Sequence, residues 1–237
     1  MTPPAITVPI EPLLAALNIL GTFVFAASGA LAAVRLRSTL VTFAFFALTT
    51  GVGGGTVRDL MIGAPVFWVQ DVTYPVICLG AGLITYMTPT RWWPARALDW
   101  MDAVGLAAFA VFGTAKAISY GVHPFTAALM GISTGCVGGI IRDLLAGEPS
   151  ILLRPEIYVT AAALSAGLYA LLLSLGLPAA PSGLLAAIVG FALRADPIPG
   201  FSGTEETVSG QAHSEPTIVL EGHGVDVGSI VRDRSAR

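Results

Sequence analysis

Two stretches of the chain, GVGGGTVRDLMIGAP at 51–65 and GCVGGIIRDLLAGEP at 135–149, align at an offset of 84 residues without a gap. Gly51, Gly54, Gly55, Arg58, Asp59, Leu60, Gly63 and Pro65 stand opposite Gly135, Gly138, Gly139, Arg142, Asp143, Leu144, Gly147 and Pro149. The same register pairs Gly21 with Gly105, Phe25 with Phe109, Gly29 with Gly113, Thr42 with Thr126 and Tyr74 with Tyr158. About a quarter of positions agree over roughly 70 residues, a match too long and too ordered to come from shared apolar bias. The chain therefore has to fold as two copies of one unit.

The medium in which those units fold follows from charge. Only 11% of the 237 residues are charged, 54% are hydrophobic and mean hydropathy is +0.78. An ordinary soluble domain carries roughly 25% charged residues, and a chain this poor in them lacks the polar surface to stay dispersed. A bilayer-spanning helix needs about 20 mostly apolar residues. Runs of that kind lie near 13–34, 39–62, 72–88, 99–119, 124–146 and 156–176, with a shorter one near 182–194. Pro12, Pro65, Pro89, Pro94, Pro124, Pro149, Pro155 and Pro178 fall at or between run edges, where helices start or stop. The runs are too long and too uniformly apolar for the alternating strands of a barrel.

Each copy holds three spans, an odd number, so the second enters the membrane from the opposite side. The expected fold is an all-α membrane protein of seven transmembrane helices. It comprises one three-helix repeat at 13–88, a second, inverted repeat at 99–176 and a seventh helix at 182–194. Residues 195–237 are polar, Gly-rich and acidic and read as a disordered cytoplasmic tail. Arg35, Arg37, Arg91, Arg96, Arg154 and Arg194 fall on one side of such a bundle. The positive-inside rule then places the N-terminus outside and the C-terminus in the cytoplasm of a multi-pass cell-membrane protein. The first apolar run has no basic lead-in and no evident cleavage site, so it does not read as a cleaved signal peptide.

Function should sit where the repeats meet. Gly53, Gly54 and Gly55 in the second span, with Gly138 and Gly139 in the fifth, each cost about 1 kcal/mol of helix propensity relative to Ala. Such clusters permit a kink or unwound turn whose carbonyls face a water-filled pathway. They equally fit the small-xxx-small pattern of close helix packing, and the two readings are compatible. The Arg58–Asp59 and Arg142–Asp143 pairs follow about one turn later, at opposite mouths after inversion. An unpaired Arg or Asp at mid-span costs about 2.5–3.5 kcal/mol, so such residues read as functional; the alternative is charge snorkelling at helix ends. Adjacent helical positions point about 100° apart, so one member would line a pathway while the other tied its helix to a neighbour.

Thr49, Thr50, Ser133 and Thr134 offer hydroxyls at that depth, either to an ion or back to the preceding helical turn. Asp102 in the fourth span aligns with Asn18 in the first, whereas Lys116 stands opposite Ala32. Lys116 reads either as a snorkelling end residue or as a charge that responds to voltage. Cys78 and Cys136 lie in apolar runs and read as small packing residues. No His pair has metal spacing, the glycine runs do not follow a strand, and no basic run with interleaved aromatics appears. Enzyme, metal, cofactor and nucleic-acid readings are dropped.

The doubled GGG-x-x-RD and GG-x-x-RD motifs in a 3+3+1 arrangement resemble the prokaryotic trimeric intracellular cation (TRIC) channels. They also resemble bacterial proteins whose repeated unit is called a glycine transporter domain. The resemblance covers about residues 13–194. It implies a homotrimer in the lipid bilayer with one ion pathway per protomer, lined by Gly-kinked second and fifth helices. The permeant species would be monovalent cations, potassium or sodium, and lipid would bind. It assigns the kinks to the glycines above and gating or lipid contact to Arg58 and Arg142. Animal members carry a lysine-containing motif where this chain reads GVGGGTVRD, which argues against their mode of regulation here. The alternatives are a secondary transporter of a small solute such as glycine, and a structural or lipid-interacting protein that needs only the packing glycines.

Overall fold

The computed structural model describes residues 12–36, 39–93, 96–149 and 157–195. Arg37, Pro94, Arg154, Pro155 and all of the expected tail beyond Ala195 lie outside them. The described part is helical, with no strand among its residues: α1 Pro12–Arg35, α2 Leu40–Met61, α3 Phe67–Gln70, α4 Thr73–Met87, α5 Ala97–Ser119, α6 Pro124–Ala146, α7 Ile157–Ser174 and α8 Ala179–Ala195. A single 3₁₀ turn, Thr90–Trp92, precedes α5.

This is a membrane protein. Helices α1, α2, α5 and α6, of 24, 22, 23 and 23 residues, are long and apolar enough to cross a bilayer. The apolar helices Thr73–Met87, Ile157–Ser174 and Ala179–Ala195 are shorter. Sequence reading overlooked α3, whose single turn is set by a carboxylate described below.

The repeated Gly-x-Pro at the end of each core is a helix stop. Gly63 and Gly147 adopt φ of 67° and 68°, the left-handed region where a side chain is disfavoured. Around them Ala64 N–H donates to the Asp59 carbonyl at 2.8 Å and Gly63 N–H to that of Leu60 at 3.3 Å. The second copy repeats both bonds, from Glu148 to Asp143 at 3.0 Å and from Gly147 to Leu144 at 3.2 Å. These are Schellman closures of α2 and α6, and the prolines two residues on prevent resumption.

The repeats meet through reciprocal contacts. A Cβ on Gly21 would lie 2.6 Å from the Phe109 ring, and one on Gly105 would lie 3.0 Å from the Phe25 ring. Between them Phe25 and Phe109 themselves meet with tilted rings, centroids 5.2 Å apart. Deeper in, a Cβ on Gly54 would collide with the Thr134 carbonyl oxygen, and one on Gly138 would sit 3.0 Å from that of Thr50. Position 21 faces 109 while 25 faces 105, and 54 faces 134 while 50 faces 138, so α1 runs antiparallel to α5 and α2 to α6. Each contact maps onto its partner under the 84-residue offset, as a two-fold between the copies requires. Helix α8 packs on α5 and α7 and has no counterpart.

The glycines therefore permit close helix packing. An unwound turn is not what they form, since α-helix continues through Gly53–Gly55 and through Gly138–Gly139. The backbone stays helical there, and protein atoms of neighbouring elements lie close to where each missing side chain would begin.

Gly54→Ala should lower thermal stability in detergent by about 1–3 kcal/mol through overpacking. Gly167→Ala, where nothing lies within 4 Å of the added carbon, should be neutral or stabilising by up to about 1 kcal/mol. Equal melting temperatures for the two variants would remove the packing explanation.

Candidate functional site: two buried charge clusters flanking a helix crossing

Along α2 and α6 three features lie in order: a charged cluster, the glycine crossing, and a second charged cluster. The crossing gathers Gly54, Gly138, Thr50 and Thr134. Thr134 donates its hydroxyl to the Met130 carbonyl at 2.6 Å, and Thr49 donates to that of Phe45 at 2.7 Å. Of the two uses open to these hydroxyls, these take the bond to the preceding turn. Thr50 is fully buried and its hydroxyl has no hydrogen-bond partner among the described residues, while Ser133 is half-buried. Gly53 faces Ile141.

The first cluster lies at the C-terminal ends of α2 and α5. Asp59 is its hub. Its Oδ1 accepts from Arg58 Nε at 2.9 Å and lies 2.8 Å from Lys116 Nζ. Its Oδ2 accepts the Phe67 N–H at 2.9 Å, which pins the start of α3. The Arg58 guanidinium carbon lies 5.2 Å from the Phe112 centroid and 5.8 Å from that of Phe67, with Lys116 Nζ also 5.8 Å from Phe67. The ring faces stabilise both cations where water is scarce. Gly55 makes room for the Phe67 ring. Tyr74 packs edge-on to Phe67 and accepts from Asn18 Nδ2 at 2.8 Å. Beyond the spans, Asp71 is exposed, and the Thr73 hydroxyl and N–H hold its carboxyl below the usual carboxylate range.

The second cluster lies at the opposite end, where α6 stops and α5 begins. Arg142 Nε donates to Asp143 Oδ1 at 2.9 Å, and its Nη1 donates to Asp102 Oδ1 at 2.8 Å and to Ser28 Oγ at 3.3 Å. Gly139 leaves the space into which the Tyr158 hydroxyl and Asp102 project. The Arg194 guanidinium lies 5.7 Å over the Tyr158 ring. A hollow of about 70 Å³ reaches Arg142 and Asp143, walled by Leu98, Asp99, Pro149 and an exposed ion pair of 2.9 Å between Arg35 and Glu148.

Several expectations change. Each arginine and its neighbouring aspartate bind one another, because a flexible Arg side chain can curl through the 100° between adjacent positions. Neither arginine snorkels: Arg58 and Arg142 are each only 1% exposed. Lys116 does not reach for the surface either; it is buried and tied to Asp59. The two clusters are equivalent in place but not in composition. Phe67, Phe112, Ser28 and Tyr158 were missed as cluster members. The offset itself held a signal for two of them, since Ser28 and Phe112 are counterparts and each faces the arginine of the opposite copy.

Fold and clusters together define a class: a helical membrane protein made of two antiparallel copies of one unit. A family model described as glycine transporter matches residues 15–90 and again 99–174. The UPF0126 inner membrane protein YadS of Escherichia coli K12 is 44% identical over 150 residues, 61% of this chain and 72% of that protein. A UPF0126 membrane protein of Vibrio cholerae is 42% identical over 154 residues, and the match spans 64% of its length, slightly under two thirds. Among solved structures, the trimeric intracellular cation channel orthologue from Rhodobacter sphaeroides superposes with a TM-score of 0.73 at 39% identity, covering 78% of this chain and 96% of that one. A prokaryotic TRIC channel crystallised in 0.5 M KCl gives 0.71 at 30% identity, covering 77% and 93%. The chain belongs to the prokaryotic TRIC family and carries the glycine-transporter unit twice.

Removing one member of a buried ion pair costs about 3–5 kcal/mol when it strands the other charge. Asp59→Ala strands two cations and a backbone N–H, so it should fall in that range. Lys116→Met leaves Arg58 and Asp59 paired and should cost about 1 kcal/mol or less. Chemical denaturation of both variants in detergent checks the difference, and similar losses would mean that Asp59 is not the hub.

Proposed function

We propose that this chain is a potassium-permeable monovalent cation channel, assembled as a homotrimer with one pathway in each protomer. It crosses the inner membrane seven times as two inverted three-helix repeats and a final helix, N-terminus outside and C-terminus cytoplasmic. The observation that carries the reading is the likeness, at 39% identity over 96% of its length, to a solved chain named as a cation channel. The pathway follows α2 and α6 past the crossing, with the hydroxyls of Thr50 and Ser133 and the glycines Gly53–Gly55 and Gly138–Gly139 along it. Potassium and sodium are its permeant species, and the buried charges at either end govern opening. Lipid binds to it in the bilayer. The homologous inner membrane protein of Escherichia coli supports the location.

The matched family's description favours a second reading, a secondary transporter of glycine or another small solute. The two differ in energetics: a channel passes many ions per opening without coupling, whereas a carrier saturates and exchanges. Purified protein in planar bilayers under a potassium gradient should give discrete current steps reversing near the potassium equilibrium potential. Absence of current, with saturable labelled-glycine uptake into liposomes, would establish the carrier instead. Arg58→Ala and Arg142→Ala should each change open probability in single-channel records; unchanged gating in both would reduce the arginines to structural ties.

A further inference from the structure

The two charge clusters occupy equivalent places in the two copies, yet they carry opposite charge. To Arg58 and Asp59 the fold adds Lys116, whose counterpart is Ala32; to Arg142 and Asp143 it adds Asp102, whose counterpart is Asn18. The first cluster thus sets two cations against one carboxylate, and the second sets two carboxylates against one guanidinium. Among the described residues, no other buried charge restores the balance. Around the second cluster Arg35 and Arg194 offset Asp99 and Glu148, and Arg91 and Arg96, at the same end, are exposed to water, where their field is screened. Beyond the first, Asp71 is exposed to water, where its field is screened. Asp102 and Asp59 are fully buried, and Lys116 is 8% exposed. A unit charge held in low dielectric acts on an ion several ångströms away far more strongly than it would in water.

We infer that Asp102 and Lys116 make the pathway electrically polar, so that cations enter more readily from the Asp102 end and the open channel rectifies. The inference rests on the channel reading above. The surplus carboxylate raises the local cation concentration at its mouth, where the hollow beside Arg142 and Asp143 opens, and the surplus ammonium lowers it at the other. Neither residue has to touch the ion. Both are departures from the internal symmetry, so reverting them restores equivalence: Asp102→Asn supplies the residue found at position 18, and Lys116→Met removes the charge that position 32 lacks. Each reversion leaves the cluster's own Arg–Asp pair intact, and detergent melting with size-exclusion chromatography verifies folding.

The experiment is single-channel current against voltage for the full-length protein in planar bilayers with equal KCl on both sides. At about 0.1 M salt the wild type should pass about twofold more current, or greater, when potassium enters from the Asp102 end. Raising the salt to about 1 M, where screening acts within about 3 Å, should shrink the ratio. The Asp102 end is identified with a Leu36→Cys variant, which places a thiol beside Arg35, labelled by an impermeant reagent from one compartment. Asp102→Asn and Lys116→Met should each bring the ratio toward one. A linear wild-type curve overturns the inference, as does rectification that persists in both variants or runs in the opposite sense. Absence of current at every voltage overturns the channel reading and takes this inference with it.

Discussion

A close approach between two helix backbones sets the geometry on which the two charged clusters depend. At Gly54 and Gly138 the helices α2 and α6 meet with no side chain between them, each glycine against a carbonyl of the other helix. Within a bilayer there is no hydrophobic drive for helices to associate, so contact area and close fit have to supply the attraction. The crossing is reciprocal, and it fixes which residues of each copy arrive at each end of the bundle. One turn beyond it in either direction the chain places an arginine and an aspartate where an unpaired charge would be costly.

Those charges stay inside because each is tied to another. Arg58 with Asp59 and Arg142 with Asp143 are bonded pairs formed within one helix, and a third group from α5 joins each pair. That third group links the charge to the packing, since Lys116 joins α5 to α2 and Asp102 joins α5 to α6. Helix α5 thus engages the charged clusters at both of its ends, one basic and one acidic. Burial deprives these interactions of screening water, so the loss of one partner is felt by the whole cluster.

Much of the fold was legible in the sequence because the membrane leaves few choices. The seven apolar runs correspond to seven helices with edges displaced by at most three residues, and Pro12, Pro65, Pro89, Pro124, Pro149 and Pro178 lie at helix edges or between helices. The offset of 84 led directly to the crossing, whose four residues are two matched pairs. What escaped was side-chain reach. Helical wheel geometry separates Arg58 from Asp59, but an arginine is long enough to defeat it. Lys116 near a helix end reads as a snorkelling residue unless one knows that Asp59 stands opposite. The single turn of α3 has no signature in its four residues, because the bond that starts it comes from Asp59, eight positions earlier.

The touching rings of Phe25 and Phe109 show what joining the copies in one polypeptide makes possible. Each is the other's counterpart and they touch, as residues on the axis of a symmetric dimer do. A free three-helix unit that paired with an inverted twin would contain the same contact, and any change at that position would be felt twice. The same twin could never own a lone lysine at one mouth and a lone extra carboxylate at the other, because every residue would occur at both. Encoding the halves separately lifts that restriction, and Lys116 opposite Ala32, with Asp102 opposite Asn18, is the use this chain has made of its freedom.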